Sequence, residues 1–263
     1  MKTMKLYHAW LSSASRRVRL CLAEKNIAYE SIAVDLSRQE QHAPEFLAMN
    51  PNGVVPALEL APGKFLHESA TICEYLDDIQ PTPTLRPADA YALAQMRNFI
   101  RWTDEKILPN LLILNWSLML QPAASQWSDA QLQEKLARIP TAERREAWVR
   151  IARKPYTEAE KAAAQAKLLE LIDKMEAMLQ GTSWLIGGQY GLADIAAVPF
   201  IARIAEIVPE ALSEASHPRV HTWWQAVQQR PAFGVARLQR FSEAQQERES
   251  TRARTMIPSG DTP

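Results

Sequence analysis

One segment of the chain combines a tight turn, a proline and the start of a helix in an order that suits an extended peptide ligand. Residues 50–56 form a predicted turn that ends with Val55 directly before Pro56. X-Pro bonds lose most of the trans preference, so we predict a cis bond here, with the main-chain N–H and C=O of Val55 free to pair with an added strand. Glu68 and Ser69 follow at a predicted helix start, where a carboxylate, a hydroxyl and unpaired amides can hold charged groups. The alternatives are a plain turn before a strand and an ordinary helix cap.

Composition narrows the classes of function. The 263 residues are 47% hydrophobic, enough to bury the cores of two domains. The formal net charge of +0 argues against nucleic-acid binding, and no apolar run reaches the length of a membrane span. We see no secretory signal, and Cys21 and Cys73 lie in helical patterns without metal-ligand neighbours. We therefore expect a cytoplasmic protein without a metal site, a disulfide framework or membrane partners.

Hydrophobic patterns divide the chain into two regions. Residues 1–80 alternate between strand and helix signals, which predicts a small mixed sheet of four strands packed with helices. The predicted strands are residues 4–9, 29–34, 57–60 and 64–66, and the predicted helices are residues 15–25 and 69–79. Residues 81–88 hold three prolines and predict a linker.

Helical patterns dominate the rest of the chain. Residues 89–242 predict an all-helical domain, in which a long helix over 89–119 is kinked at Pro109. The other predicted helices are residues 128–139, 158–179, 192–208 and 218–229. The polar residues 243–263 predict a disordered tail.

These parts, in this order, resemble the glutathione transferases: a thioredoxin-like N-terminal domain, a Val-Pro pair, a Glu-Ser helix start, a proline linker and an all-α second domain. Residues 12–19 are similar to the Ser-Ser-Cys-x-x-Arg-Val-Arg signature of the zeta class, although Ala14 replaces the cysteine. Other stretches resemble the bacterial glutathione-dependent β-aryl etherases. They are residues 40–42, 71–76, 85–89, 96–97, 102–105, 139–140 and 150–153.

The resemblance implies that a hydroxyl in the loop after the first strand stabilises the glutathione thiolate. A free thiol has a pKa near 8.5, so only a few per cent is ionised at neutral pH. Ser12 matches the zeta pattern and Ser15 the etherase pattern, and both are candidate catalytic residues, with Ser13 beside them. Any one of these serines could instead cap the helix. Tyr7 is a third contender, for which a packed core ring is the favoured interpretation.

The same resemblance implies how the rest of glutathione is held. Val55, beside Pro56, would pair with the cysteinyl unit, and Glu68 with Ser69 would hold the γ-glutamyl group. Gln41 and His42 lie on a loop from which related proteins reach the glycyl carboxylate. A solvated loop histidine is the alternative for His42.

A hydrophobic electrophile would bind between the two domains. Asn115 and Trp116 on the kinked helix are the candidate substrate-binding residues, with Trp10 and Leu11 as the opposite wall. Ordinary core packing is the alternative for such a stripe. We interpret the arginine-rich residues 140–154 as a solvated, helix-rich insertion, with an anion site as the alternative. Gly191–Asp194 fits a structural capping box.

The resemblance thus implies an enzyme in which glutathione attacks a hydrophobic aromatic electrophile, with β-aryl ether cleavage as the leading reaction. Generic conjugation or dehalogenation, zeta-like isomerisation and a non-catalytic binding module are the alternatives. Glutathione is the expected co-substrate. A homodimer is expected by resemblance.

Overall fold

The computed structural model describes residues 3–238 and contains a mixed α/β region followed by a helical region. The first region consists of β1 (Met4–His8), α1 (Ser13–Glu24), β2 (Tyr29–Ala33), α2 (Pro44–Met49), β3 (Ala57–Ala61), β4 (Lys64–Leu66) and α3 (Ser69–Ile79). These bounds lie within two residues of the predicted strands and helices, although α2 was not predicted. The predicted tail over 243–263 lies outside the described residues.

All the regular elements of the second region, as far as residue 238, are helices. It consists of α4 (Ala90–Trp102), α5 (Leu108–Met119), α6 (Gln121–Ala124), α7 (Asp129–Ala137), α8 (Ala142–Arg153), α9 (Glu158–Met178), α10 (Leu192–Ile207), α11 (Pro218–Gln228) and α12 (Pro231–Val235). The predicted linker over residues 81–88 falls between α3 and α4. No helix within residues 3–238 has the length and apolarity that a membrane span requires.

The four strands form one mixed sheet in the order β2-β1-β3-β4. β1 runs parallel to β2 and antiparallel to β3, which places Leu6 opposite Leu58. Both leucines are fully buried. The predicted α/β architecture with a four-stranded mixed sheet is therefore confirmed.

One hydrophobic core joins the two regions. It includes Val18 and Leu22 of α1, Ile72 of α3, and Phe200 and Ile201 of α10, all almost completely buried. Burial of this apolar surface removes the cost of its hydration, at about 25 cal/mol per Å². The shared core fixes the loop before α1 relative to the helical region.

The long helix predicted over residues 89–119 is interrupted where the sequence indicated. α4 ends at Trp102, a π-helical turn spans Thr103–Ile107, and α5 begins at Leu108. Pro109 lies in the first turn of α5, directly after the π turn, and has no N–H to donate to the preceding helical turn. Single π turns inside helices are frequent at functional sites.

A second, smaller core holds the segment between α5 and α9 together. Trp148 of α8 is buried there and stacks on Trp127, with ring centroids 5.4 Å apart. Ile139, Ile151 and Leu132 complete its centre. The region that we predicted to be a solvated insertion therefore has its own hydrophobic packing, which sets the position of α8.

Gly191–Asp194 forms the predicted structural capping box at the start of α10. The Asp194 carboxylate accepts a hydrogen bond from the Gly191 N–H at 3.0 Å. A Cβ atom at position 191 would lie 2.6 Å from the Leu85 carbonyl oxygen, so a serine or threonine cap would collide with the main chain there. This close approach explains why a glycine stands at position 191 in place of the usual serine or threonine. The sequence alone gives no reason for that replacement.

Candidate functional site

The loop between β1 and α1 presents Ser12 as the N-cap of α1. Its Oγ accepts a hydrogen bond from the Ser15 N–H at 3.2 Å, and its φ and ψ of -69° and 121° are extended. A hydroxyl that accepts a bond through oxygen keeps its own proton free to donate. Ser12 is half-buried, and it lies at the positive end of the helix dipole. The capping role and the donor role are therefore compatible in this residue.

Ser13 and Ser15 differ sharply in surroundings. Ser15 is fully buried, and its Oγ accepts a hydrogen bond from the Ala9 N–H at 3.3 Å. Ser13, in the first turn of α1, is half-buried, and its side chain has no hydrogen-bond partner among the residues described. The accessible hydroxyls of this loop are thus those of Ser12 and Ser13, and the surroundings of Ser15 favour a structural role.

Tyr7 lies in β1, and its hydroxyl is directed to the neighbouring strand β3. It donates a hydrogen bond to Glu59 Oε2 at 3.2 Å, and its ring meets Phe46 edge-on. Burial, with the nearby Glu59 carboxylate, raises the pKa of Tyr7. These contacts agree with the packed ring favoured from the sequence.

The turn before β3 presents the main chain of Val55. The Val55–Pro56 peptide bond is cis, as predicted. Asn50 braces the turn by donating from Nδ2 to the Val54 carbonyl oxygen at 2.8 Å. Within residues 3–238, the N–H and C=O of Val55 take part in no hydrogen bond between loop and turn main-chain groups. They remain open to an extended ligand, which is the arrangement that strand addition requires.

The start of α3 offers open donors beside a carboxylate. Glu68 is exposed and has φ +66°, a backbone conformation that non-glycine residues adopt at a cost and that concentrates at functional sites. Its side chain does not cap the helix, so the first amides of α3 stay unpaired. Ser69 is buried beside them. This end of the helix can bind a carboxylate through amides and an ammonium through Glu68.

A buried arginine connects this helix start to the helical region. Arg17 donates from Nη1 to Ser69 Oγ at 3.1 Å and forms a two-bonded ion pair with Asp104, at 2.9 and 2.6 Å. Arg17 is 3% exposed, and Asp104 belongs to the π turn. Neither residue was predicted from the sequence as part of the site. The sequence does place Arg17 inside the serine motif and Asp104 inside the etherase-like stretch 102–105. Nothing in it indicates that the two side chains pair.

Gln41 and His42 form a short 3-10 turn that the structure buries. His42 is 2% exposed, so the solvated loop histidine is wrong. Burial, followed by the positive charge of Arg144, lowers the pKa of His42 to about 4. The turn glycine Gly53 has φ +60°, and a Cβ there would lie 2.9 Å from the His42 ring. The turn that carries Val55 thus packs directly on His42.

Leu11, in the loop between β1 and α1, contacts the helical region. This residue packs against Met119 at the end of α5. Trp116, one turn earlier, is half-buried and lies against Trp148, with ring centroids 5.4 Å apart. Leu11 thus touches the helix that carries Trp116, and the substrate-binding roles of these two residues, on opposite walls, stay predictions.

Asn115 and Trp10 have other contacts. Asn115 is buried, and its Oδ1 accepts a hydrogen bond from Arg203 Nε at 2.9 Å. The Trp10 ring lies beneath the guanidinium groups of Arg19 and Arg237, 4.8 and 5.6 Å from its centroid. These contacts favour packing roles for both residues, and we leave them out of the proposed substrate wall.

Comparisons with known proteins decide the family. Residues 6–84 match the glutathione S-transferase N-terminal domain, and residues 141–231 match the glutathione S-transferase C-terminal domain. The chain belongs to the glutathione S-transferase family. Glutathione is the co-substrate of this family, so the predicted co-substrate is confirmed.

Several transferase relatives resemble most of this chain. Protein LigF from Sphingobium sp. is 30% identical over 237 residues, which cover 88% of this chain and 91% of LigF. Glutathione S-transferase 3 from Zea mays is 29% identical, with 89% and 92% covered. The crystal structure of the β-etherase LigF superposes with a TM-score of 0.79 at 28% identity and covers 93% of this chain and 99% of that one. The predicted resemblance to β-aryl etherases is thus confirmed.

A further relative matches only part of this transferase. The maleylacetoacetate isomerase of Pseudomonas aeruginosa is 40% identical over 116 residues, which cover 43% of this chain and 55% of the isomerase. This similarity agrees with the zeta-like serine motif noted in the sequence.

Proposed function

We propose that this transferase activates glutathione with the Ser12 hydroxyl and directs the thiolate at a hydrophobic aromatic electrophile. The observation that carries the proposal is the Ser12 hydroxyl itself. Its oxygen is occupied by the Ser15 N–H, so its proton is free for a sulfur at the N-terminus of α1. Each unit by which the thiol pKa falls corresponds to about 1.4 kcal/mol of thiolate stabilisation.

Four groups would position the tripeptide for this step. The main chain of Val55, beside Pro56, pairs with the cysteinyl unit, while Glu68 accepts the γ-glutamyl ammonium. Ser69 and the open amides of α3 hold the γ-glutamyl carboxylate. Arg17 orients the Ser69 hydroxyl by donating a hydrogen bond to its oxygen. Ser13, next to Ser12, offers a further hydroxyl to the same ligand.

The proposed reaction is cleavage of a β-aryl ether. The glutathione sulfur attacks the carbon that carries the aryloxy group, next to an aryl ketone. A carbon–sulfur bond forms as the carbon–oxygen bond breaks, and the electron pair leaves with the phenolate. Phenols have a pKa near 10, so the phenolate departs and takes a proton from water without an acid from the protein. The likeness to LigF and the contact of Leu11 with Met119, three residues after the half-buried Trp116, support this substrate class.

A direct assay tests the reaction. Purified protein with saturating glutathione and a β-aryl ether ketone should release the phenol and a glutathione thioether in equal amounts. Release should fall at least 100-fold in the Ser12→Ala variant, while Ser12→Thr, which keeps a hydroxyl, should retain more activity. Absence of phenol release from the wild type, with turnover of an aryl chloride or alkyl halide, would replace ether cleavage by generic conjugation. Absence of turnover with any electrophile would indicate a binding module.

Zeta-like isomerisation is the second candidate function. The 40% identity to a maleylacetoacetate isomerase over 116 residues favours it. Ala14, in place of the cysteine of the zeta signature, argues against it. Incubation with an unsaturated diketo acid and glutathione separates the two, because isomerisation consumes no glutathione whereas ether cleavage consumes one per phenol released.

A further inference from the structure

Arg19, in the middle of α1, is buried against the loop that carries Ser12. We call this loop, residues 9–12, the serine loop. Arg19 is 1% exposed, and its guanidinium donates to two carbonyl oxygens of the loop: to Ala9 from Nη1 at 3.3 Å and to Trp10 from Nη2 at 3.1 Å. Because the guanidinium is buried, both carbonyl groups are held towards the protein interior. The serine loop is therefore fixed from the inside.

The same guanidinium connects the serine loop to two other parts of the chain. Its Nε donates to the Ala236 carbonyl oxygen at 3.1 Å, directly after α12, and its Nη1 lies 3.2 Å from Nδ1 of His8. A guanidinium only donates, so Nδ1 accepts and the His8 Nε2–H donates to Ser31 Oγ at 2.7 Å. Burial, followed by the charge of Arg19, lowers the pKa of His8 well below its usual value, so the ring is neutral and can accept this bond.

The ring of Trp10 makes a second connection between the same parts. The guanidinium carbons of Arg19 and Arg237 lie 4.8 and 5.6 Å from its centroid. The His8 ring meets it edge-on, with ring centroids 4.7 Å apart. The Trp10 side chain cannot turn without breaking these cation–π and aromatic contacts. Both the carbonyl group and the ring of Trp10 are thus tied to Arg19.

The Ala9 carbonyl group links Arg19 to Ser12. Its oxygen accepts the bond from Arg19 and a second bond from the Ser12 N–H at 3.2 Å. A carbonyl oxygen has two lone pairs, so the two bonds are compatible. The main chain of Ser12 is therefore placed by a group that Arg19 holds, while the Ser12 Oγ atom accepts from the Ser15 N–H. Together these contacts set where the Ser12 hydroxyl lies.

Packing alone does not require an arginine at this position of α1. Val18 and Leu22, on the same helix, fill the shared core with apolar side chains. A buried charge costs hydration that only hydrogen bonds can offset. The guanidinium supplies five N–H donors in a fixed planar fork, enough to serve three carbonyl oxygens and a ring nitrogen at once. The residue type therefore fits a bracing role for the loop.

We propose that Arg19 is a positioning residue for thiolate formation: it holds the serine loop so that the Ser12 hydroxyl meets the glutathione sulfur. This inference rests on the proposed function of Ser12. Because Arg19 also binds Ala236, the turn after α12 supports the active site from the far end of the described chain. A shift of about 1 Å in a catalytic group can lower a rate about 100-fold, so such support matters for activity.

The thiol of bound glutathione provides the readout, through its thiolate absorbance as a function of pH. Arg19→Met removes every donor and should raise the thiol pKa by about 0.5 unit or more. Glutathione affinity at about pH 5.5, where the thiol is protonated, should stay within about twofold, since Val55, Glu68 and Ser69 keep their places. Arg19→Lys keeps the charge and part of the hydrogen bonds, so its thiol pKa should lie between the two.

Arg230→Met is the matched control. Arg230, directly before α12, binds the Glu24 carboxylate at the end of α1 through two bonds of 2.7 Å. It therefore joins α12 to the same helix as Arg19 does, but at the end opposite the serine loop. Both variants should lower the free energy of unfolding, and only Arg19→Met should raise the thiol pKa. An equal rise in the two variants would overturn the inference.

A double variant separates positioning from a direct effect of the buried charge. In the Ser12→Ala background, Arg19→Met should change the thiol pKa by less than about 0.2 unit, because its effect acts through the hydroxyl. A change as large as in the wild-type background would overturn the inference, and so would an unchanged thiol pKa in Arg19→Met itself.

The remaining outcomes are also decisive. If Arg19→Met does not fold, Arg19→Lys takes its place in each comparison, and a thiol pKa equal to that of the wild type would overturn the inference. If Ser12→Ala leaves the thiol pKa of the wild type unchanged, the proposed function of Ser12 is overturned instead.

Discussion

At the scale of single residues, Ser12 shows that a structural interpretation and a functional one need not compete. The sequence left open whether a serine caps α1 or activates a thiol. In the structure one hydroxyl can do both, because capping uses its oxygen and thiol activation uses its proton. Ser15 could not be separated from Ser12 in the sequence, since its burial depends on the approach of the Ala9 main chain.

His42 provides a pH test at the residue scale. Its pKa of about 4 lies below the usual 6.5, so the unfolded chain binds the proton more tightly than the folded protein. Protonation of His42 should therefore lower the free energy of unfolding as the pH falls from 6.5 towards 4. Between pH 6 and 8, His42 should stay neutral and leave glutathione affinity unaffected.

Histidine NMR titration of the ligand-free protein measures this pKa directly. The His42→Asn variant assigns the signal and serves as the control. A midpoint for His42 near 6.5 would contradict the burial seen in the structure.

At the scale of elements, hydrophobic patterns predicted the bounds of the longer helices well. α3, α9, α10 and α11 lie within one residue of their predicted bounds. α3, α9 and α11 carry an apolar face, and α10 is a long apolar run that is buried on all sides. α2, α6 and the π turn were missed, since elements of four to six residues hold too little periodicity. α8 was predicted only as part of a solvated insertion, because its buried residues pack against a small core assembled from distant positions.

The start of α10 gives a stability prediction at this scale. Asp194 is fully buried and accepts hydrogen bonds from three donors: the Leu185 N–H, the Gly191 N–H and the Trp223 Nε1–H. Asp194→Ala should leave these donors unpaired and lower the free energy of unfolding by about 3–5 kcal/mol. Denaturant unfolding measures the loss.

Asp173→Ala is the control for this variant, since Asp173 is an exposed acid on α9. Its effect should stay within about 0.5 kcal/mol. A loss below about 1 kcal/mol for Asp194→Ala would show that the buried carboxylate does not hold the start of α10 against the preceding loop and α11.

At the scale of the whole molecule, the site is assembled from residues that are far apart in sequence. The Val-Pro turn, the Glu-Ser helix start and the serine loop are local motifs, and the sequence revealed each of them. The sequence does not reveal which side chains pair across the two regions. Arg17 and Asp104, for example, form an ion pair although 87 positions separate them in the chain. Such contacts depend on how the shared core orients α1 against the helical region. Homodimer formation, which depends on surfaces between molecules, stays a prediction.

The central claim is that the Ser12 hydroxyl stabilises the glutathione thiolate. The most direct measurement is a pH titration of the thiolate absorbance near 240 nm with glutathione bound to the protein. The wild type should show a thiol pKa at least one unit below the free value of about 8.5, and Ser12→Ala should return it to about 8.5 or above. An unchanged pKa in Ser12→Ala, with glutathione still bound, would contradict the account.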